Sequence, residues 1–277
     1  MPLSLSSRAS GLLLGQVAAA CPGQPPAGAP ARLALARILA EVLLVPDPDL
    51  AALARRWAAA APGDASLDAG SVAGFAHLRE SGVPREAAPA GERPTLPPHL
   101  LPVALLAFEN PRTLTSLTWH LAVLTHPDPE STWGAVAVNV AAARLLQGHR
   151  DFVPDVIEAL RNNEAPALLL ETVRRLPLLR RENIDALAGS ASPAIGATCA
   201  ALWAAHTEPR TTTALEWLER LPAPTALSAA AAGAGLLGAR DGIEALRIAL
   251  GERGVDLKAL KRLADQLARI AAPDGRA

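Results

Sequence analysis

Tyrosine is absent, and aromatic residues make up only 3% of the 277 residues. Strands favour β-branched and aromatic side chains, so this scarcity argues against a β fold, as does the lack of any strand-length β-branched run. Cysteine is nearly absent as well. Cys21 and Cys199 have neither metal-ligand spacing nor the numbers for a disulfide framework, and read as small buried side chains in a reducing compartment. An excess of charge of one sign is missing too. The 26 Lys and Arg residues nearly balance the 27 Asp and Glu, leaving a net charge of -1, and five like charges never run together. That excludes a sequence-independent nucleic-acid footprint. No apolar run approaches the roughly 20 residues of a membrane span. No fixed period recurs, which disfavours a solenoid. "GLLLGQVAAAC" has the look of a short signal core, but Arg8 is the only cation ahead of it and Gln16 interrupts it. The reading is a cytoplasmic protein.

What is present is helix-forming. Half of the residues are hydrophobic, dominated by Ala and Leu, and both are strong helix formers. Apolar residues recur at helical spacing at Leu35, Ile38, Leu39 and Val42. Helix signals place segments at 8–20, 49–61, 67–81, 111–125, 129–147, 152–161, 165–176, 182–187, 193–206, 211–218, 223–238, 242–250 and 256–270. Asp47-Pro48 suits a helix start and Gly82 a helix end. The expected architecture is all-α: a compact multi-helix single domain over 8–271, between tails at 1–7 and 272–277.

The longest irregular stretch, "VPREAAPAGERPTLPPHLLP" at 83–102, holds too many prolines for a continuous helix. It is either a functional loop or a surface excursion. The most distinctive local chemistry is "THPDPE" at 125–130. Asp128 can accept from the free amides of a new helix, Pro129 has no amide to waste there, and Glu130 favours the positive helix end. His126 then stands in a corner between two helices, either as packing or as a ligand contact. Trp133 and Val136 are expected to face the core, and Gly134 to permit close helix approach. His126→Ala should cost less stability than Asp128→Ala unless its ring is buried and hydrogen-bonded. The six histidines form no H-x-x-x-H pair, and no phosphate-binding glycine loop of Walker type occurs. Glu182, Asp185, Glu216 and Glu219 read as solvated helix faces. "RRLPLLRR" at 174–181 is a local basic patch, either ordinary surface or a dock for an acidic partner.

Three stretches, in their order along the chain, resemble the ADP-ribosylglycohydrolase family, the dinitrogenase-reductase-activating type of hydrolase. "LTHPDPESTWGAVAVNVAAARLLQG" is similar to its Thr-His-x-x-Pro corner and alanine-rich helix. "LDAGSVAGFAHLRESGVPREAA" looks like the helix before its substrate loop, and "TALSAAAAGAGLLGARDG" like its last core helix. The resemblance covers roughly 8–242. It implies an all-α fold and, for an active member, a pair of Mg²⁺ ions held by carboxylates and hydroxyls beside a glycosidic bond, as hard cations require.

The sequence departs from that pattern where the metals belong. Ala20 stands for the aspartate of the Gly-Asp-Ala segment, Ala31 and Arg32 for the paired aspartates, and Pro224 and Ala226 for the Asp-x-Asp-Thr carboxylates. Arg93, Pro94 and Thr95 stand in the glycine loop, where Pro94 has no amide to donate. The expectation is a family member without Mg²⁺-dependent hydrolysis: no cofactor, no metal ligand and no catalytic residue. It would bind a partner protein or a nucleotide-like ligand at a residual cleft of Arg93, His99, His126 and Asp128. Two alternatives stay open. One is an active ADP-ribosyl hydrolase with relocated groups, drawn from Asp64, Asp68, His99, His126 and Asp128. The other is an unrelated helical scaffold.

Overall fold

The computed structural model describes residues 3–19, 29–43, 49–60, 67–189, 192–250 and 257–271. Fourteen α-helices and no strand are found among them. In chain order these are α1 (Leu5–Ala18), α2 (Ala29–Leu43), α3 (Leu50–Ala60), α4 (Ala69–Ser81), α5 (Val103–Ala107), α6 (Pro111–Ala122) and α7 (Pro129–Leu146). There follow α8 (Val153–Arg161), α9 (Ala167–Arg175), α10 (Arg181–Ala188), α11 (Pro193–Thr207), α12 (Thr211–Leu218), α13 (Thr225–Leu250) and α14 (Leu257–Ala271).

Local chemistry sets the ends of these helices. Ser4 accepts from the Ser7 amide, so α1 starts at Leu5 rather than at the expected boundary of Arg8. Asn110, Asp128 and Ser192 cap α6, α7 and α11, each with proline in the first turn. Gly82 closes α4 at φ 76°, its amide donating to the Leu78 carbonyl. α13 is broken at Gly242 (φ 82°), where a side chain would meet Ser7 and Leu3. That break matches the two helices expected there. Asp47-Pro48, Ala20, Cys21, Asp64 and the 272–277 tail lie outside the described residues.

The centre is built from α1, α7, α11 and α13, with α6 and α8 flanking α7, and α12 and α14 outside. α1 and α13 run antiparallel with their backbones almost touching. A Cβ on Gly11 would lie 2.3 Å from the Gly238 carbonyl oxygen, and one on Gly15 2.1 Å from that of Ala234. Likewise a Cβ on Gly134 of α7 would lie 2.5 Å from Thr198 Oγ1 of α11. Small residues therefore let these helices approach so closely that Ala and Leu make up most of the core, with only a few aromatics such as Trp57, Phe75 and Phe152 among them. Cys199 is fully buried in α11, where burial pushes its thiol pKa up to about 12.

The 83–102 stretch is a surface excursion only in its first half. From Thr95 to Leu101 every residue is buried, with a 3-10 turn at Pro98–Leu100, and the short α5 follows. The apolar residues Leu96, Leu100 and Leu101 pull this stretch inward despite its prolines. Asn139 of α7 holds the start of α5, accepting from the Ala104 amide at 3.1 Å.

Candidate functional site

Asp68 is an acid with only 2% of its surface exposed. It caps α4, accepting from the Ser71 amide at 2.9 Å. The Ser71 hydroxyl donates to its other oxygen. The Thr95 hydroxyl donates from the buried loop at 2.6 Å, and His126 Nε2 lies 2.9 Å away at the corner before α7. A carboxylate only accepts, so Nε2 carries a proton. Nδ1 of the same ring meets the Thr125 hydroxyl at 2.8 Å. One buried carboxylate thus gathers four donors from α4, the loop and the α6–α7 corner. Burial by itself would raise the Asp68 pKa. Interaction with His126, and hydrogen bonds from His126, Ser71 and Thr95, outweigh it and hold Asp68 well below the usual carboxylate range.

His99 extends the cluster. Its Nδ1 is 3.3 Å from Ser71 Oγ. Ser71 spends its single proton on Asp68, so Nδ1 is the donor in this pair and Nε2 is left as a bare acceptor. That Nε2 is buried without a partner, and the ring stands edge-on to Trp57 at 5.2 Å. Burial pushes the His99 pKa down to about 3. Asp68 opposes this shift and His126 adds to it. Gly70 is obligatory beside the cluster, because a Cβ there would lie 2.6 Å from both His126 Nε2 and Thr95 Oγ1. Arg85 fastens the exposed half of the loop to the same corner, with Glu92 at 2.6 and 3.0 Å and the Thr125 carbonyl at 2.9 Å.

The four residues expected to line a cleft therefore have different placements. His99 and His126 come together around Asp68, each 1% exposed. Asp128 is half-buried at the rim and performs the helix-start role read from the sequence, accepting from the Ser131 amide at 2.7 Å. Arg93 is exposed on the loop. Ser71 and Arg85 were not anticipated, and Thr95 was read only as a loop residue. An aspartate just ahead of a helix is a usual sign of its cap, and that sign was available for Asp68; nothing local in the sequence marks Ser71. Val136 is fully buried, and Trp133 packs against the core with only part of its surface. It is half-buried on the wall of a groove of about 920 Å³ between α6, α7 and α8, with Phe108, Trp119, Arg144, Gln147 and Asp155.

A second region bears on the expected metal segments. Since Gly11 meets Gly238 and Gly15 meets Ala234, the end of α1 and the start of α13 lie at the same end of the fold. α2 meets the end of α1 through Arg32, which is 2% exposed and donates from Nη1 to the carbonyls of Ala19 (2.6 Å) and Gln16 (3.3 Å). The buried loop reaches this end too, since Leu101 packs on Gly235. The Gln16 carboxamide and the Ser228 hydroxyl are buried there without hydrogen-bond partners. No acid stands in the first turn of α2 or of α13. Among the described residues, no group of three or more His, Cys, Asp or Glu side chains is gathered as for a metal ion.

Comparison with known proteins places this arrangement in a family. No curated protein matches the sequence. A solved structure described as an ADP-ribosylglycohydrolase-related protein complex shares the fold, with a TM-score of 0.73 over 97% of this chain and 99% of that chain, at 19% identity. The ADP-ribosylglycohydrolase family itself matches residues 1–276, a wider span than the stretches that first suggested it. The chain belongs to the ADP-ribosylglycohydrolase family.

Proposed function

We propose that this chain is a binding member of its family that does not carry out Mg²⁺-dependent hydrolysis, and that it takes a partner protein or a nucleotide-like ligand. One observation carries the reading: the first turns of α2 and α13, where the family resemblance calls for metal-holding carboxylates, contain none, and a buried arginine stands in the former. Two hard divalent ions need several anionic oxygens. Gln16 and Ser228 offer neutral oxygens only, beside a guanidinium that repels cations. Asp68 is no substitute, because four donors already fill its lone pairs. Its depressed pKa also makes it a poor general base at neutral pH.

In this reading Asp68, His99 and His126 support the site from beneath. Arg93 and Asp128, nearer the surface, are the residues that meet a ligand. The near-neutral charge argues against nucleic acid as the partner. No described helix is long and apolar enough to cross a membrane, and the cytoplasm suits a chain with two cysteines and no disulfide framework. Calorimetric titration with Mg²⁺ is the direct test, with no stoichiometric heat expected. Tight binding of two ions would sink the proposal. A parallel titration with ADP-ribose, on wild type and Arg93→Ala, asks whether the nucleotide-like arm of the reading holds.

A further inference from the structure

The end of an α-helix leaves its last carbonyls without intrahelical partners and carries partial negative charge. The end of α1 is buried, with Gln16, Val17 and Ala19 at most 4% exposed, and the last turn of α1 has no basic residue of its own. Arg32, from the following helix, supplies the missing cation. A guanidinium buried this deeply is tolerated only where acceptors surround it. As a rule a guanidinium, unlike an imidazole or a carboxylate, does not lose its charge in a protein.

We propose that Arg32 is a resident cation. It ties the end of α1 to the start of α2 at the place where the family resemblance calls for metal-binding carboxylates, and so holds that end of the fold together without a divalent ion. The inference deepens the metal-free reading above and rests on it, but its physical content is separate. A short side chain at position 32 would leave the Gln16 and Ala19 carbonyls buried without their donor.

The test uses the full chain as wild type, Arg32→Gln and Arg32→Lys, with amide hydrogen exchange read by peptide mass spectrometry and thermal melts in EDTA and in Mg²⁺. In Arg32→Gln, exchange in the last turn of α1 and the second turn of α2 should rise by about tenfold or more, while the Asp68–His126 region stays protected. Arg32→Lys should recover part of that protection, since an ammonium restores charge without the planar fork. It also keeps the test decisive if Arg32→Gln fails to fold. The wild-type melting midpoint should be the same in EDTA and Mg²⁺. Wild-type exchange and melting in Arg32→Gln would overturn the resident cation, as would Arg32→Lys exchanging as fast as Arg32→Gln. Stoichiometric Mg²⁺ binding by the wild type, with protection lost in Arg32→Gln, would instead remove the metal-free reading and leave the tie between α1 and α2 standing.

Discussion

The Asp68 cluster and the α1–α13 seam are both fully buried and solve opposite problems. The cluster brings charge inside and neutralises it by directed bonds. Each of Ser71, Thr95 and His126 is needed in one orientation, and none is replaceable by a residue of similar size. The seam rests on close backbone approach, with Arg8 of α1 bonding the α13 carbonyls of Ala239 and Arg240 at one end. Gly11, Gly15 and Gly238 work by having no side chain, and their tolerance is set by distance alone. A cluster of this kind fails through one lost partner, whereas a seam fails through one added carbon.

The largest effect should come from removing the centre of the cluster. Asp68→Ala leaves two hydroxyls, an amide and the His126 Nε2–H without their acceptor, and should destabilise the protein by about 3–5 kcal/mol in urea unfolding. If Asp68→Ala unfolds at nearly the wild-type urea concentration, the cluster does not hold the fold.

Acid separates two parts of the cluster. His99 has its pKa pushed down to about 3 in the folded chain, against an ordinary value of 6.5. The unfolded chain therefore takes up a proton that the folded chain refuses. The stability His99 contributes is complete above about pH 6.5 and falls toward pH 3 by about 1.4 kcal/mol per pH unit. The folded Asp68 pKa is depressed instead, so its contribution is present above the ordinary value of 3.8 and is lost as pH drops below that. Urea midpoints of wild type and His99→Phe at pH 7, 6, 5 and 4 distinguish the two. The variant should lose most of the upper slope, and an unchanged slope would assign it to other groups.

The seam is probed by Gly11→Ala. Its new methyl would stand 2.3 Å from the Gly238 carbonyl oxygen, and backbone gives way less easily than a side chain. A loss of about 1–3 kcal/mol is expected. A neutral result would mean that α1 and α13 separate readily, and the contrast with the cluster would weaken.

The smallest change is expected at the rim. Asp128→Ala removes one cap bond and should cost about 0.5–2 kcal/mol. His126→Ala should now cost more than this, because the condition attached to it is met: the ring is buried and hydrogen-bonded on both nitrogens. Neither variant should gain or lose a Mg²⁺-dependent shift in melting midpoint. Differential scanning fluorimetry of both covers these expectations together.

Much of the fold was legible because helices are local objects. The Asp128-Pro129 start, the Gly82 end and the break at Gly242 are each written within a few residues. The site was legible only in parts. Asp68, His99 and His126 could be named as candidates by residue type, but Asp68 and His126 are 58 positions apart and meet through a loop with no periodicity to read. The sequence also carried the charge of Arg32 without its burial. Two backbone carbonyls of the preceding helix explain that burial, and carbonyls are the same at every position of a sequence. The groove that the outer face of Trp133 lines was hidden for a related reason: α6 and α8 both pack on α7 and leave a gap between them, which no helical periodicity reveals.

The pairing of α1 with α13 also has a consequence in time. Arg8 donates to the carbonyl of Ala239 across 231 positions of chain, and the two backbones touch along the same seam. A ribosome finishes the first helix long before it begins the second. Through that interval Leu12, Leu13 and Leu14, buried in the finished protein, have no seam to enter. Contacts so distant in sequence are slow to form and expose apolar surface while they wait. The order of synthesis thus makes the first helix among the last elements to reach its final packing, and the step most exposed to capture by a chaperone or by another unfinished chain.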